Sequence, residues 1–129
     1  MQYDEDRELT QYVWKHFSRL MTDFEQRVGI TIMGREKAAM SKHPQAVELL
    51  YRRQCGLDDG EINAALADGA ESFRRRVRDR LLSECGRDVF INRCPRCARV
   101  VRTPRARQCF WCGFDWHHQG RARKHSQIP

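Results

Sequence analysis

Cys94-Pro95-Arg96-Cys97 and, after eleven intervening residues, Cys109-Phe110-Trp111-Cys112 decide how this chain is read. Two Cys-x-x-Cys pairs at that separation can set four thiolates around one tetrahedral ion, with backbone amides at each pair pointing toward the sulfurs. The spacing therefore predicts one structural Zn2+ held by Cys94, Cys97, Cys109 and Cys112. Four sulfurs leave no open position for water, which argues against catalytic zinc. Disulfides fit less well, because the two other cysteines, Cys55 and Cys85, stand alone in the sequence. Redox exchange uses the same residue type, but two converging pairs favour ligation over exchange. Rubredoxin-like iron also takes four thiolates, but such proteins are compact acidic electron carriers, unlike a basic segment on a helical body. His117 and His118 are weighed as substitute ligands, or as a second site with Cys55 or Cys85.

Immediately before the first pair, Val89-Phe90-Ile91 is a short β-favouring run. Ala98 to Arg102 and the residues from Gln108 onward read as arms of a hairpin, with Thr103-Pro104-Arg105-Ala106 as its turn. Phe90, Phe110, Phe114 and Trp116 are candidates for a small core, and Trp111 for an outward-facing aromatic. Residues 119–129 lack apolar content and read as a basic flexible tail.

The body that precedes these elements reads as helical. Leu9, Val13, Phe17, Leu20, Phe24 and Val28 recur at three- and four-residue steps and predict one amphipathic helix over 5–28. His16 lies on that face as a hydrogen-bonded packing residue. Gly29 and Gly34 bracket either an extended link or the entry to a second helix. Pro44 opens a helix that runs to about Gln54, buries Val47, Leu50 and Tyr51, and ends at Cys55-Gly56. Asp58-x-x-Glu61 is a capping-box start for a long helix over 59–85. Its stripe of Ile62, Leu66, Gly69 and Phe73 continues in register onto Arg76 and Arg80, while the apolar positions move to Val77 and Leu81. With Arg74, Arg75 and Arg78 these residues form a dense arginine patch.

The 129-residue chain carries a formal charge of +7. Residues 1–93 balance 16 Lys and Arg against 16 Asp and Glu, whereas residues 94–129 hold 8 against Asp115 alone. Four thiolates around a divalent ion carry −2, which lowers +7 to +5. A positive segment beside a neutral body calls for an anionic partner. No run is apolar enough to span a membrane, and the acidic N-terminus lacks a secretory core, so the cytoplasm is the expected compartment.

Cys94-Pro95-x-Cys97 with Cys109-x-x-Cys112-Gly113 resembles the zinc-ribbon group, whose members recur in transcription, translation and RNA-processing machinery. The phrase from Asn92 to His117 also resembles the C-terminus of uncharacterised small bacterial zinc-ribbon proteins. The resemblance covers about a fifth of the chain and implies metal ligation by the four cysteines; it carries no activity over to this chain. One position departs from it: glycine is usual after the second cysteine of each pair, as at Gly113, but Ala98 follows Cys97. A positive φ there would strain Ala98 mildly.

The expected architecture is mainly α: a helical domain over 1–88 and a small β zinc ribbon over 89–118. The expected role is non-catalytic binding of nucleic acid. Arg74, Arg75, Arg76, Arg78 and Arg80 on the helix, and Arg99, Arg102, Arg105, Arg107 and Trp111 on the ribbon, are the candidate contacts. The alternative is a regulator or accessory subunit that grips an acidic protein. Glycine-rich phosphate loops and catalytic triads are not found.

Overall fold

Thr22 and Asp58 each begin a helix by the same device. The Thr22 hydroxyl accepts from the Glu25 amide while the Glu25 carboxylate accepts from the Thr22 amide. Asp58 and Glu61 repeat this reciprocal pair. Such a box satisfies two donors that a helix start leaves without partners.

The computed structural model describes residues 2–118 and is mainly helical. Its helices are α1 (Glu5–His16), α2 (Asp23–Ala39), α3 (Pro44–Cys55), α4 (Asp59–Ala65) and α5 (Ala70–Glu84), with a 3-10 turn over Ser18–Leu20. No helix among the described residues is long and apolar enough to cross a membrane. The chain divides into two compact units. One joins α1 to the cysteine-bearing segment that begins at Cys85, and the other runs from Ser18 to Glu84. This division differs from a cut between residues 88 and 89, because α1 belongs with the cysteines. The basic tail expected over 119–129 lies outside the described residues.

In the Ser18–Glu84 unit, α2 and α3 pack as neighbours. The single helix expected over 5–28 is interrupted between Phe17 and Thr22, because the Thr22–Glu25 box starts a new helix. Gly29 and Gly34 both lie inside α2. Gly34 is required there, since a Cβ at that position would lie 2.7 Å from Tyr51 Cγ on α3 and closer still to Tyr51 Cβ. Gly56 closes α3 in the left-handed conformation, φ 67°, as its sequence position predicts. Leu50, expected to be buried, is 63% exposed.

The long helix expected over 59–85 is two helices. Gly69 takes φ 97° between them, and α5 restarts with Phe73, Val77 and Leu81 buried. That restart explains why the stripe leaves the register of Arg76 and Arg80. Arg80 instead donates from Nε to Glu25 at 2.8 Å and also pairs with Glu84. Burial works to raise the Glu25 carboxyl, but hydrogen bonds from Arg80 and Thr22 outweigh it and hold it below the usual carboxylate range.

Candidate metal centre

Each cysteine pair folds the same way, fifteen residues apart. The Cys94 amide donates to Arg99 O and the Cys109 amide to Phe114 O. Ala98 and Gly113 donate to Cys94 O and Cys109 O, while Val101 and Trp116 donate to Asn92 O and Arg107 O. One antiparallel bridge closes each turn, Arg93 with Val100 and Gln108 with Asp115. The expected hairpin between Ala98–Arg102 and the segment after Gln108 is therefore replaced by two knuckles, each closed on itself. No strand longer than these bridges occurs among the described residues.

The knuckles aim backbone donors at sulfur. Arg96 and Cys97 amides lie 3.4 Å from Cys94 Sγ, and Trp111 and Cys112 amides lie 3.3 and 3.4 Å from Cys109 Sγ. These bonds are available to a thiolate before any ion arrives. Cys94 and Cys109 are buried, Cys97 is half-buried and Cys112 is exposed. Burial works to raise the Cys94 thiol, but the Cys97 and Arg96 amides outweigh it and hold it at about 7. Burial pushes the Cys97 thiol up to about 11.

The four sulfurs lie within 4.8 Å of one another and are the group among the described residues that could hold a metal ion. Cys94 Sγ and Cys112 Sγ are 3.6 Å apart, and Cys97 Sγ and Cys109 Sγ 3.7 Å. A tetrahedron with metal–sulfur bonds of about 2.3 Å has edges of about 3.8 Å, so the donor set fits a four-thiolate ion. Neither histidine weighed as a ligand joins that group. His117 is bonded to Asp115 at 2.7 Å, and Cys55 donates its thiol to Arg52 O. Cys85 is also outside the group.

Ala98 has φ 65° and Gly113 φ 80°, the equivalent positions of the two knuckles. A side chain in this region costs about 1–2 kcal/mol, and open space around Gly113 means a methyl there meets no other obstacle. Thermal unfolding of the metal-loaded protein is expected to show Ala98→Gly stabilising by about 1 kcal/mol and Gly113→Ala destabilising by a similar amount. Shifts of the same sign would remove the equivalence of the two turns.

A buried cluster of Cys94, Val101, Cys109 and Trp116 backs the site, with Trp111 and Phe114 packed against it. Phe90 and Phe110, expected in this core, are 61% and 48% exposed. Trp111 does not project freely: its ring is half-buried and stands edge-on to Tyr3 at 5.0 Å and to Phe110 at 5.5 Å.

Helix α1 anchors this arrangement, a role that its apolar stripe did not reveal. Tyr12 donates its hydroxyl to Phe90 O at 2.6 Å and accepts from the Asn92 amide at 3.1 Å. Tyr3 accepts from the Val100 amide, and His16 Nε2 bonds Arg102 O at 2.9 Å, as a hydrogen-bonded packing residue should. Glu5 and Arg93 form a two-bond ion pair. The Asn92 amide group donates to both Thr103 O and Ala106 O at 2.9 Å, which pins the loop carrying Arg102 to Arg107.

The arginines singled out by sequence separate into two sets. On α5, Arg74 pairs with Glu36 and Glu71, Arg76 with Asp68, Arg78 with Asp79, and Arg80 with Glu25 and Glu84. Arg75 is exposed on the same helix. On the knuckles, Arg99 lies over Tyr3 at 5.3 Å and Arg102 over Phe110 at 3.8 Å, and Arg96, which the sequence did not single out, lies over Phe114 at 5.9 Å. Among the described residues, Arg96, Arg99, Arg102, Arg105 and Arg107 make no ion pair with a carboxylate. Comparisons with protein-family models, with curated proteins and with solved structures find no match for this chain.

Proposed function

We propose that the four cysteines hold one structural Zn2+ in a zinc-ribbon module, and that the knuckle arginines bind single-stranded nucleic acid. The observation that carries this reading is the contrast between the two arginine sets. Carboxylates occupy Arg74, Arg76, Arg78 and Arg80, whereas five knuckle arginines keep their charge available and three of them lie on aromatic faces. Guanidinium groups neutralise phosphates and release counterions, and aromatic faces stack on unpaired bases. In this reading the ion is structural, because four thiolates fill a tetrahedral shell, and the role of the chain is binding. A cytoplasmic setting is part of the proposal, since thiolate ligands need a reducing compartment.

Engagement of five phosphates gives a slope of about −3.5 for log affinity against log salt on single strands. Arg105→Ala is expected to reduce that slope by about 0.7, and Arg76→Ala to leave it unchanged, as read by titration of a labelled oligonucleotide at several salt concentrations. A flat salt response rules the reading out.

The second reading is a protein partner. It draws on the exposed apolar side chains Met33 of α2, Met40 at the end of α2, and Leu49 and Leu50 of α3. Retention of a stoichiometric protein after nuclease treatment would favour it.

A further inference from the structure

A groove of about 380 Å3 separates α1 from the second knuckle. From α1 it takes Glu8, Gln11 and Lys15, one turn apart along a single face, and from the knuckle side Arg102, Phe110 and Trp111. We infer, on the basis of the nucleic-acid reading above, that this groove receives one unpaired base of a bound strand, stacked on the Arg102–Phe110 pair.

Three features of the groove select a base over a phosphate. Its lining is mixed in charge, since Asp4 and Glu8 stand together with Arg7, Lys15 and Arg102. The two carboxylates offset two of the three cations, so the groove as a whole attracts a phosphate only weakly. A neutral base needs no such attraction, and the Glu8 and Gln11 side chains offer the acceptors and donors that its Watson–Crick edge requires. The second feature is a flat stacking surface. The Arg102 guanidinium lies 3.8 Å from the Phe110 ring centroid, and Phe110 is 48% exposed. Planar guanidinium and aromatic faces are the two surfaces on which splayed bases stack.

The third feature is that the groove exists before any ligand binds. Both walls are tied together, by Tyr12 to Phe90 O and the Asn92 amide and by His16 to Arg102 O. Trp111 is fixed edge-on between Tyr3 and Phe110. A base entering this space therefore pays little to order it.

The test compares an unmodified single-stranded oligonucleotide with an abasic strand of equal length, on the full metal-loaded chain and on Arg102→Lys. Lysine keeps the charge but loses the planar stack. The unmodified strand is expected to bind the wild-type chain about tenfold tighter than the abasic strand. Arg102→Lys is expected to bring that ratio close to one with the salt slope and metal content unchanged. Equal binding of both strands at a slope near −3.5 leaves the charge-based reading standing and overturns the base site. A ratio that survives in Arg102→Lys overturns the stacking assignment. Failure of both strands to bind removes the nucleic-acid reading itself.

Discussion

Stripping the metal from this protein is expected to unfold the cysteine-bearing unit, and Cys109→Ser to do the same without a chelator. The cluster that backs the site is small, and two of its four buried members, Cys94 and Cys109, belong to the four cysteines that could hold the ion. Little apolar area remains to replace the ion, and structural zinc contributes on the order of 10 kcal/mol in modules of this size. Cys109 is the most informative ligand because it is 1% exposed and its sulfur accepts from two amides. Tryptophan emission is the direct readout, since Trp116 is buried against the ligands and should move to longer wavelength on metal loss. Cys55→Ser should keep the full metal content, since that thiol is spent on Arg52 O. A chelated chain that melts like the loaded one, or purified protein without one bound metal per chain, would end the metal assignment.

The second large effect is expected at Gly34. A methyl there cannot fit without α2 and α3 moving apart, because it meets Tyr51 near the α3 backbone, at Cβ as well as at Cγ. Overpacking of this kind costs about 3 kcal/mol, which for a unit of this size lowers Tm by upward of about 10 °C. The position of the clash makes the result specific. Tyr51→Ala leaves the nearest atom in place and should not rescue Gly34→Ala, whereas Tyr51→Gly should restore part of the loss. Metal content should stay at one equivalent, because both residues belong to the Ser18–Glu84 unit. A Gly34→Ala protein of unchanged Tm would show that the two helices are not held at this separation.

The candidate metal centre was legible because its information is local: four residues at fixed spacing whose side-chain chemistry admits few uses. The same holds for Asp58-x-x-Glu61 and for Gly56, where a start and a stop signal act within one turn of the helix they define. Thr22-x-x-Glu25 was equally local, but the apolar repeat from Leu9 to Val28 runs across it, so periodicity outweighed the cap. Gly69 was masked in the same way, as a small residue on an apparently continuous stripe. What no local pattern carries is the use of polar groups over long separations. Tyr12 reaches Phe90 and Asn92, and Arg80 reaches Glu25 from 55 residues away. A run of five arginines therefore read as one patch, although its members are committed to different carboxylates.

Asn92 is the point at which these separate elements meet. Its amide proton goes to Tyr12, its carbonyl to Val101, and its side chain to Thr103 and Ala106. Four neighbours thus take their bearings from one buried residue, and none of the four bonds is to an ion. The positions of the arginines are consequently inherited from the amino-terminal helix as much as from the four cysteines: a disturbance that lifts Tyr12 away would slacken the loop even with all four sulfurs still in place.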